Sequence, residues 1–162
     1  MIRVLPFLLY LWLVSLHQVI LNDATSIYAA TINIPAVVVI LIGLYKSELD
    51  ACWFGFMVGV VTYAGIGDSM GWYVLVMALL GYLTFHVRAK VNLESIYSRV
   101  LLVLVGVLIH NVAVLIMAGS DGVFYLLVTG VVTGAVYTAV IAWVFFLFKE
   151  GKITAKKLKA IF

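Results

Sequence analysis

The chain has 162 residues and a net charge of +3, and its composition differs from that of a soluble domain of this length. Apolar residues make up 66% of the sequence and charged residues 10%, against roughly half and about a quarter in ordinary globular proteins. A water-soluble fold of this composition would expose a continuous apolar surface. The sequence therefore excludes a cytosolic enzyme, a nucleic-acid-binding protein and a secreted disulfide scaffold. It predicts an integral membrane protein.

Six apolar segments are long enough, with flanking residues, to cross a bilayer as helices, which takes about 20 residues each. We expect the first to be retained, because it is longer than the apolar region of a signal peptide and no A-x-A cleavage site follows it. The expected fold is an all-α membrane protein, a compact bundle of six transmembrane helices in residues 1–148 with a basic cytoplasmic tail in residues 149–162. The predicted segments are residues 4–21, 27–45, 51–66, 72–86, 100–118 and 123–148.

Two polar pairs lie inside predicted spans. His17 and Gln18 lie toward the outer end of the first span, and His110 and Asn111 lie near the middle of the fifth. Polar side chains are costly in lipid, so we expect all four to face the bundle interior. Two interpretations stay open for them: hydrogen bonding between helices, and a proton relay or ligand contact. The spans contain no Arg or Lys and no carboxylate at mid-membrane depth, which disfavours an ion-coupled pump.

The second span contains Pro35 near its outer end. A helix that starts there, with Asn33 near its N-cap, would have 11 residues to Tyr45 and reach only about 16 Å. The span is therefore either kinked at Pro35 or preceded by irregular backbone. Broken helices of this kind mark substrate sites in transporters.

Small residues recur at four-residue spacing on two spans. Four-residue spacing places each set on one helix face, where a partner backbone can approach closely. The partner is either another helix of the same bundle or a second membrane protein, and we expect at least one set to pack internally. The sets are Ala51, Gly55 and Gly59 on the third span, and Gly130, Gly134 and Thr138 on the sixth.

The basic residues predict the orientation in the membrane. With six spans and both termini in the cytoplasm, all ten basic residues lie on the inner side, as the positive-inside rule requires. The only charged residues of the outer loops are then Asp23, Asp68 and Asp121. The last residues form either an amphipathic segment on anionic lipids or a simple stop-transfer anchor. The tail lysines are Lys149, Lys152, Lys156, Lys157 and Lys159, and the other inner basic residues are Arg3, Lys46, Arg88, Lys90 and Arg99.

Catalytic signatures are missing from the sequence. It contains no P-loop, no G-x-S-x-G, no H-E-x-x-H and no Cys/His metal motif. We therefore expect a protein that is not an enzyme and that needs no cofactor or metal.

The third and fourth spans share a glycine pattern. Gly55-Phe56-Met57-Val58-Gly59 is followed by Gly71 and by Leu80-Gly81-Tyr82-Leu83. This resembles the G-F-x-x-G, later Gly and G-Y-L pattern of the rod shape-determining protein MreD family of bacteria. Pro35 at the start of an apolar second span also fits. The sequence departs from the family at Tyr63, where members often have an aspartate.

The resemblance implies a non-enzymatic scaffold subunit of the rod complex in the bacterial inner membrane. It implies an MreC-like membrane partner and, through it, a link between MreB filaments and RodA-type wall-synthesis machinery. The family fold is also similar to the substrate-binding subunits of energy-coupling-factor transporters, so a vitamin-binding subunit of that type is the alternative. Those subunits often dock through an A-x-x-x-A face on the first helix, and the first span here contains no alanine.

Overall fold

The computed structural model describes residues 5–21, 30–65, 67–119 and 121–151, apart from the side chains of Leu21 and Asp68. Within these ranges the regular secondary structure is helical, with no β-strand, which confirms the all-α prediction. A π-helical turn, His17–Leu21, extends α1, and a short 3-10 turn, Gly67–Ser69, precedes α4. The six described helices are α1 (Leu5–Leu16), α2 (Ile34–Tyr45), α3 (Glu48–Tyr63), α4 (Met70–Lys90), α5 (Ile96–Ala118) and α6 (Val123–Lys149).

Three of these helices, α4, α5 and α6, are long and apolar enough to cross a membrane, judged by length and composition. They contain 21, 23 and 27 residues, which correspond to about 32–40 Å at 1.5 Å per residue. The apolar run Leu5–Ile20 and helix α2 are shorter. Each of the six predicted segments therefore overlaps one observed helix. The fourth segment is longer than predicted, since α4 continues through the charged residues up to Lys90.

The start of α2 corrects the prediction of a kink at Pro35. The helix begins at Ile34, and Pro35 lies in its first turn rather than inside a longer helix. Proline is tolerated there, because the first backbone N–H groups of a helix have no intrahelical acceptor. The side chain of Asn33 caps this end by accepting a hydrogen bond from Ala36 N at 3.0 Å. The residues just before the cap are not helical, as in the second interpretation of Pro35.

The small residues of α3 pack against α4. A Cβ atom added at Gly55 would overlap the carbonyl oxygen of Met77, and one at Gly59 would lie 2.8 Å from Val74 Cα. From the other side, a Cβ at Gly81 would overlap the carbonyl oxygen of Ala51. The two backbones thus touch along this row. A partner-docking role for Ala51, Gly55 and Gly59 is wrong for this structure, because α4 already occupies that face.

The small residues of α6 also face the interior. Gly134 and Thr138 are buried, and a Cβ at Gly134 would lie 3.1 Å from the carbonyl oxygen of Thr31. Thr138 Oγ1 donates to Gly134 O at 2.7 Å and accepts from Asn33 N at 3.0 Å. This part of the row therefore receives the non-helical segment before α2, and not a second protein.

The charged residues of the helix ends gather at one end of the bundle, which we call the charged end. The Arg88 guanidinium donates to the carbonyl oxygens of Leu44 at 2.8 Å and Lys46 at 3.1 Å, in the last turn of α2 and at its C-cap. Lys149 Nζ lies 3.2 Å from the ring centroid of Tyr45. Arg99, at the start of α5, forms a 2.8 Å ion pair with Glu150. The predicted tail residues Lys152, Lys156, Lys157 and Lys159, and also Arg3, lie outside the described residues.

Candidate functional site

A cluster of polar side chains connects four helices in the half of the bundle away from the charged end. The Asn33 amide nitrogen donates to Asn111 Oδ1 at 2.7 Å and lies 3.1 Å from His110 Nδ1. Tyr63 Oη lies 3.2 Å from His110 Nε2. Asn33 also accepts from the first turn of α2 and bonds Thr138 through its backbone. Asn33 is thus the residue that joins α2, α5 and α6.

The contacts of His110 satisfy both ring nitrogens in either neutral tautomer. With the proton on Nε2, Nδ1 accepts from the Asn33 amide at 3.1 Å and Nε2 donates to Tyr63 Oη at 3.2 Å. With the proton on Nδ1, the ring donates to Asn111 Oδ1 at 3.2 Å and Nε2 accepts from Tyr63 Oη. Both arrangements leave no unpaired nitrogen on a histidine that is only 1% exposed.

An open cavity of about 460 Å³ lies beside this cluster, between the C-terminal ends of α1, α3 and α5 and the N-terminal ends of α2 and α6. Apolar side chains of α5 and α6 form much of its wall, including Val114, Leu115 and Val131. Its polar lining consists of amide and hydroxyl groups. The polar lining residues are Gln18, Thr31, Asn33, Thr62, Tyr63 and Asn111.

The helices lose their regular geometry where they border this cavity. Gln18 belongs to the π-helical turn His17–Leu21, and Gly130 and Val131 belong to a second π-helical segment, Leu127–Val132. Thr31, Ile32 and Asn33 belong to the non-helical segment before α2. Single turns of π-helix are often found at functional sites. Non-helical backbone at membrane depth is tolerated where it lines a cavity or is buried in protein.

Two polar groups near this end have no hydrogen-bond partner among the described residues. One is the hydroxyl of Thr62: the residue belongs to the cavity lining, but the hydroxyl oxygen itself is buried. The other is the imidazole of His17, which is 1% exposed and precedes Gln18. Buried polar groups without partners are rare and each requires an explanation.

Four of the residues singled out in the sequence converge on this cavity, although they come from four different spans. They are Gln18, Pro35, Asn111 and Gly130. His110 adjoins them through Asn33 and Tyr63. The other small residues pack helix against helix, and Lys149 lies at the charged end.

Four polar residues of the site are not predicted as such from the sequence. Asn33 is expected there only as a helix cap, Tyr63 only as a departure from a family pattern, and Thr31 and Thr62 not at all. The signal that could have found Asn33 is its position, since a capping amide beside a proline inside an apolar segment must lie at membrane depth. Thr62 carries no comparable signal, because threonine is common in membrane helices.

The described residues contain no group of three or more His, Cys, Asp or Glu side chains that could hold a metal ion. The site consists of uncharged groups, and its chemistry is hydrogen bonding and apolar contact. Comparison with known proteins finds no matching family model, no matching curated protein and no matching solved structure.

Proposed function

We propose that the chain is a six-span protein of the bacterial cytoplasmic membrane with both termini in the cytoplasm. Three helices have the length and composition to cross a bilayer, and the remaining three pack beside them. Large apolar side chains are exposed on the bundle surface, such as Trp12, Ile109, Ile116 and Val136. Lipid is the environment in which such a surface is stable.

The distribution of charge supports the orientation. Three of the described basic residues bridge neighbouring helix ends at the charged end: Arg88 bonds Lys46 O, Arg99 pairs with Glu150, and Lys149 lies over Tyr45. Clusters of Lys and Arg at one end of a membrane bundle favour the cytoplasmic side. The tail lysines would extend this basic surface toward anionic lipids.

Within this membrane, we propose that the protein is a non-enzymatic scaffold subunit of the rod complex that binds an MreC-like partner. The observation that carries the proposal is the packing of three of the glycines on which the MreD resemblance rests. Gly55, Gly59 and Gly81 are the points at which the α3 and α4 backbones touch. The pattern therefore has a structural role in this chain, as a motif that defines a family fold would have.

The transporter alternative receives less support from α1. Docking through small residues needs a face on which backbones can approach. The exposed side chains of α1 are bulky instead, and they include Leu8, Leu9 and Trp12. With the first small-residue row and most of the second buried inside the bundle, and Gly130 lining the cavity, we expect partner contact to use bulky apolar surfaces or the outer loops.

Gentle purification of the full-length protein from its own membranes tests the proposed function. We expect an MreC-like protein with one membrane span and a large periplasmic domain to co-purify, while MreB and RodA-type proteins follow at lower yield. Trp12→Ala changes an exposed side chain of α1, so the variant should stay folded and shows whether this apolar surface takes part in partner binding. Co-purification of an ATPase module in place of the MreC-like protein would favour the transporter alternative, and a chain that purifies alone would contradict the scaffold.

A further inference from the structure

We propose that the cavity beside Asn33 is a binding site for an uncharged, partly apolar small molecule that carries an amide-like hydrogen-bonding group. The proposal rests on the geometry of the cavity and does not depend on the scaffold function. It concerns a solute or lipid-soluble compound that enters from the side of the bundle opposite the charged end.

The size and position of the cavity fit such a ligand. Its volume of about 460 Å³ lies within the range of about 300–1,000 Å³ that is usual for small-molecule sites. Sites of this kind occur between the helices of bundles, with apolar walls and a few polar groups that fix orientation. Here Val114, Leu115 and Val131 provide apolar wall, while Gln18, Asn33 and Asn111 provide carboxamides.

The polar lining determines the charge of the ligand. The described lining residues include no charged side chain. A charged ligand would lose its hydration without an opposite charge to compensate, which is strongly unfavourable. Carboxamides and hydroxyls both donate and accept hydrogen bonds, so they match a neutral group with the same two capacities, such as an amide.

Thr62 indicates where the ligand makes a specific contact. Its hydroxyl oxygen is buried and has no partner among the described residues, although the side chain lines the cavity. Asn33 and Asn111 already bond each other and His110. The Thr62 hydroxyl therefore has hydrogen-bonding capacity left, and a change of its side-chain rotamer has to bring the enclosed oxygen to the cavity surface before it can bond a ligand.

The irregular backbone around the cavity supports a binding role over simple packing. The two π-helical segments and the non-helical residues before α2 border the same space. π-Helical turns recur at functional sites, and non-helical backbone at membrane depth is tolerated where it lines a cavity.

A matched pair of probes tests the proposal with the full-length protein in detergent. Indole-3-acetamide has a flat apolar ring and a neutral amide, while indole-3-acetate has the same ring and a negative charge. We expect titration calorimetry to detect saturable binding of the amide, with at least tenfold weaker binding of the acetate. Equal affinities, or no binding of the amide at millimolar concentration, would overturn the proposal.

Two variants locate the binding. Thr62→Val keeps the side-chain shape and removes the hydroxyl, so the amide should bind about fivefold more weakly, as expected for loss of one hydrogen bond. Thr129→Val is the control, because Thr129 lies on α6 outside the cavity lining. Ala118→Trp fills the space from the exposed end of α5 and should abolish binding without changing the melting temperature. Full binding in both Thr62→Val and Ala118→Trp would contradict the assignment of the site.

Discussion

Replacing Gly55 or Gly81 with alanine is expected to destabilise the bundle strongly, although each change adds only one methyl group. The new Cβ would overlap a backbone carbonyl oxygen, that of Met77 at Gly55 and that of Ala51 at Gly81. A backbone atom cannot move aside as a flexible side chain can, so α3 and α4 would have to separate. Overpacking of this kind typically costs about 1–3 kcal/mol. Thermal unfolding in detergent measures the loss.

Gly71→Ala is the matched control for this prediction. Gly71 lies near the start of α4, and no heavy atom lies within 4 Å of the position that its Cβ would occupy. Alanine is a better helix former than glycine by up to about 1 kcal/mol. The control should therefore melt at the same temperature as the native protein or slightly higher. Equal melting temperatures for Gly55→Ala and Gly71→Ala would show that α3 and α4 do not touch along this row.

Asn33→Ala is expected to have the second large effect. The substitution removes the cap of α2, the hydrogen bond to Asn111 and the contact with His110 Nδ1. Loss of an N-cap typically costs about 1 kcal/mol, and each buried group left unsatisfied costs about 1–3 kcal/mol. We expect a total loss of about 3 kcal/mol in the free energy of unfolding.

Asn92→Ala controls for the loss of an asparagine as such. Asn92 lies in the exposed connection between α4 and α5, where its side chain accepts a hydrogen bond from Glu94 N. Changes at such surface positions usually alter stability by no more than about 0.5 kcal/mol. If Asn33→Ala unfolded at the same temperature as Asn92→Ala, the polar cluster would not hold α2 against α5 and α6.

The helices could be located from the sequence because a long apolar run leaves the backbone few alternatives to a helix. Their ends were less predictable. α4 extends to Lys90 because charged side chains can remain helical where they reach the bundle end. α2 starts late because Asn33 and Pro35 form a helix start inside an apolar segment. Hydropathy alone cannot detect this start, since the residues on both sides of it are apolar.

The candidate site could be predicted only as separate residues. Spacing by four places Gly55 and Gly59 on one face, but it does not tell which helix meets that face. In the fold that helix is α4, which removes the docking surface expected there. The cavity depends on Thr31, Thr62 and Asn111, which are far apart in the sequence and meet only when α2, α3 and α5 pack. Tyr63 illustrates the same point, because its contact with His110 spans 47 residues.

Cysteine labelling in intact cells tests most directly whether the charged end faces the cytoplasm across a six-span bundle. Single cysteines at Ser47 and Ser69, with Cys52 replaced by serine, mark the two ends of α3 and its flanking turns. A membrane-impermeant maleimide should label the cysteine at position 69 from outside, and the one at position 47 only after the cells are broken. Labelling at position 47 in intact cells, with none at position 69, would contradict the proposed orientation.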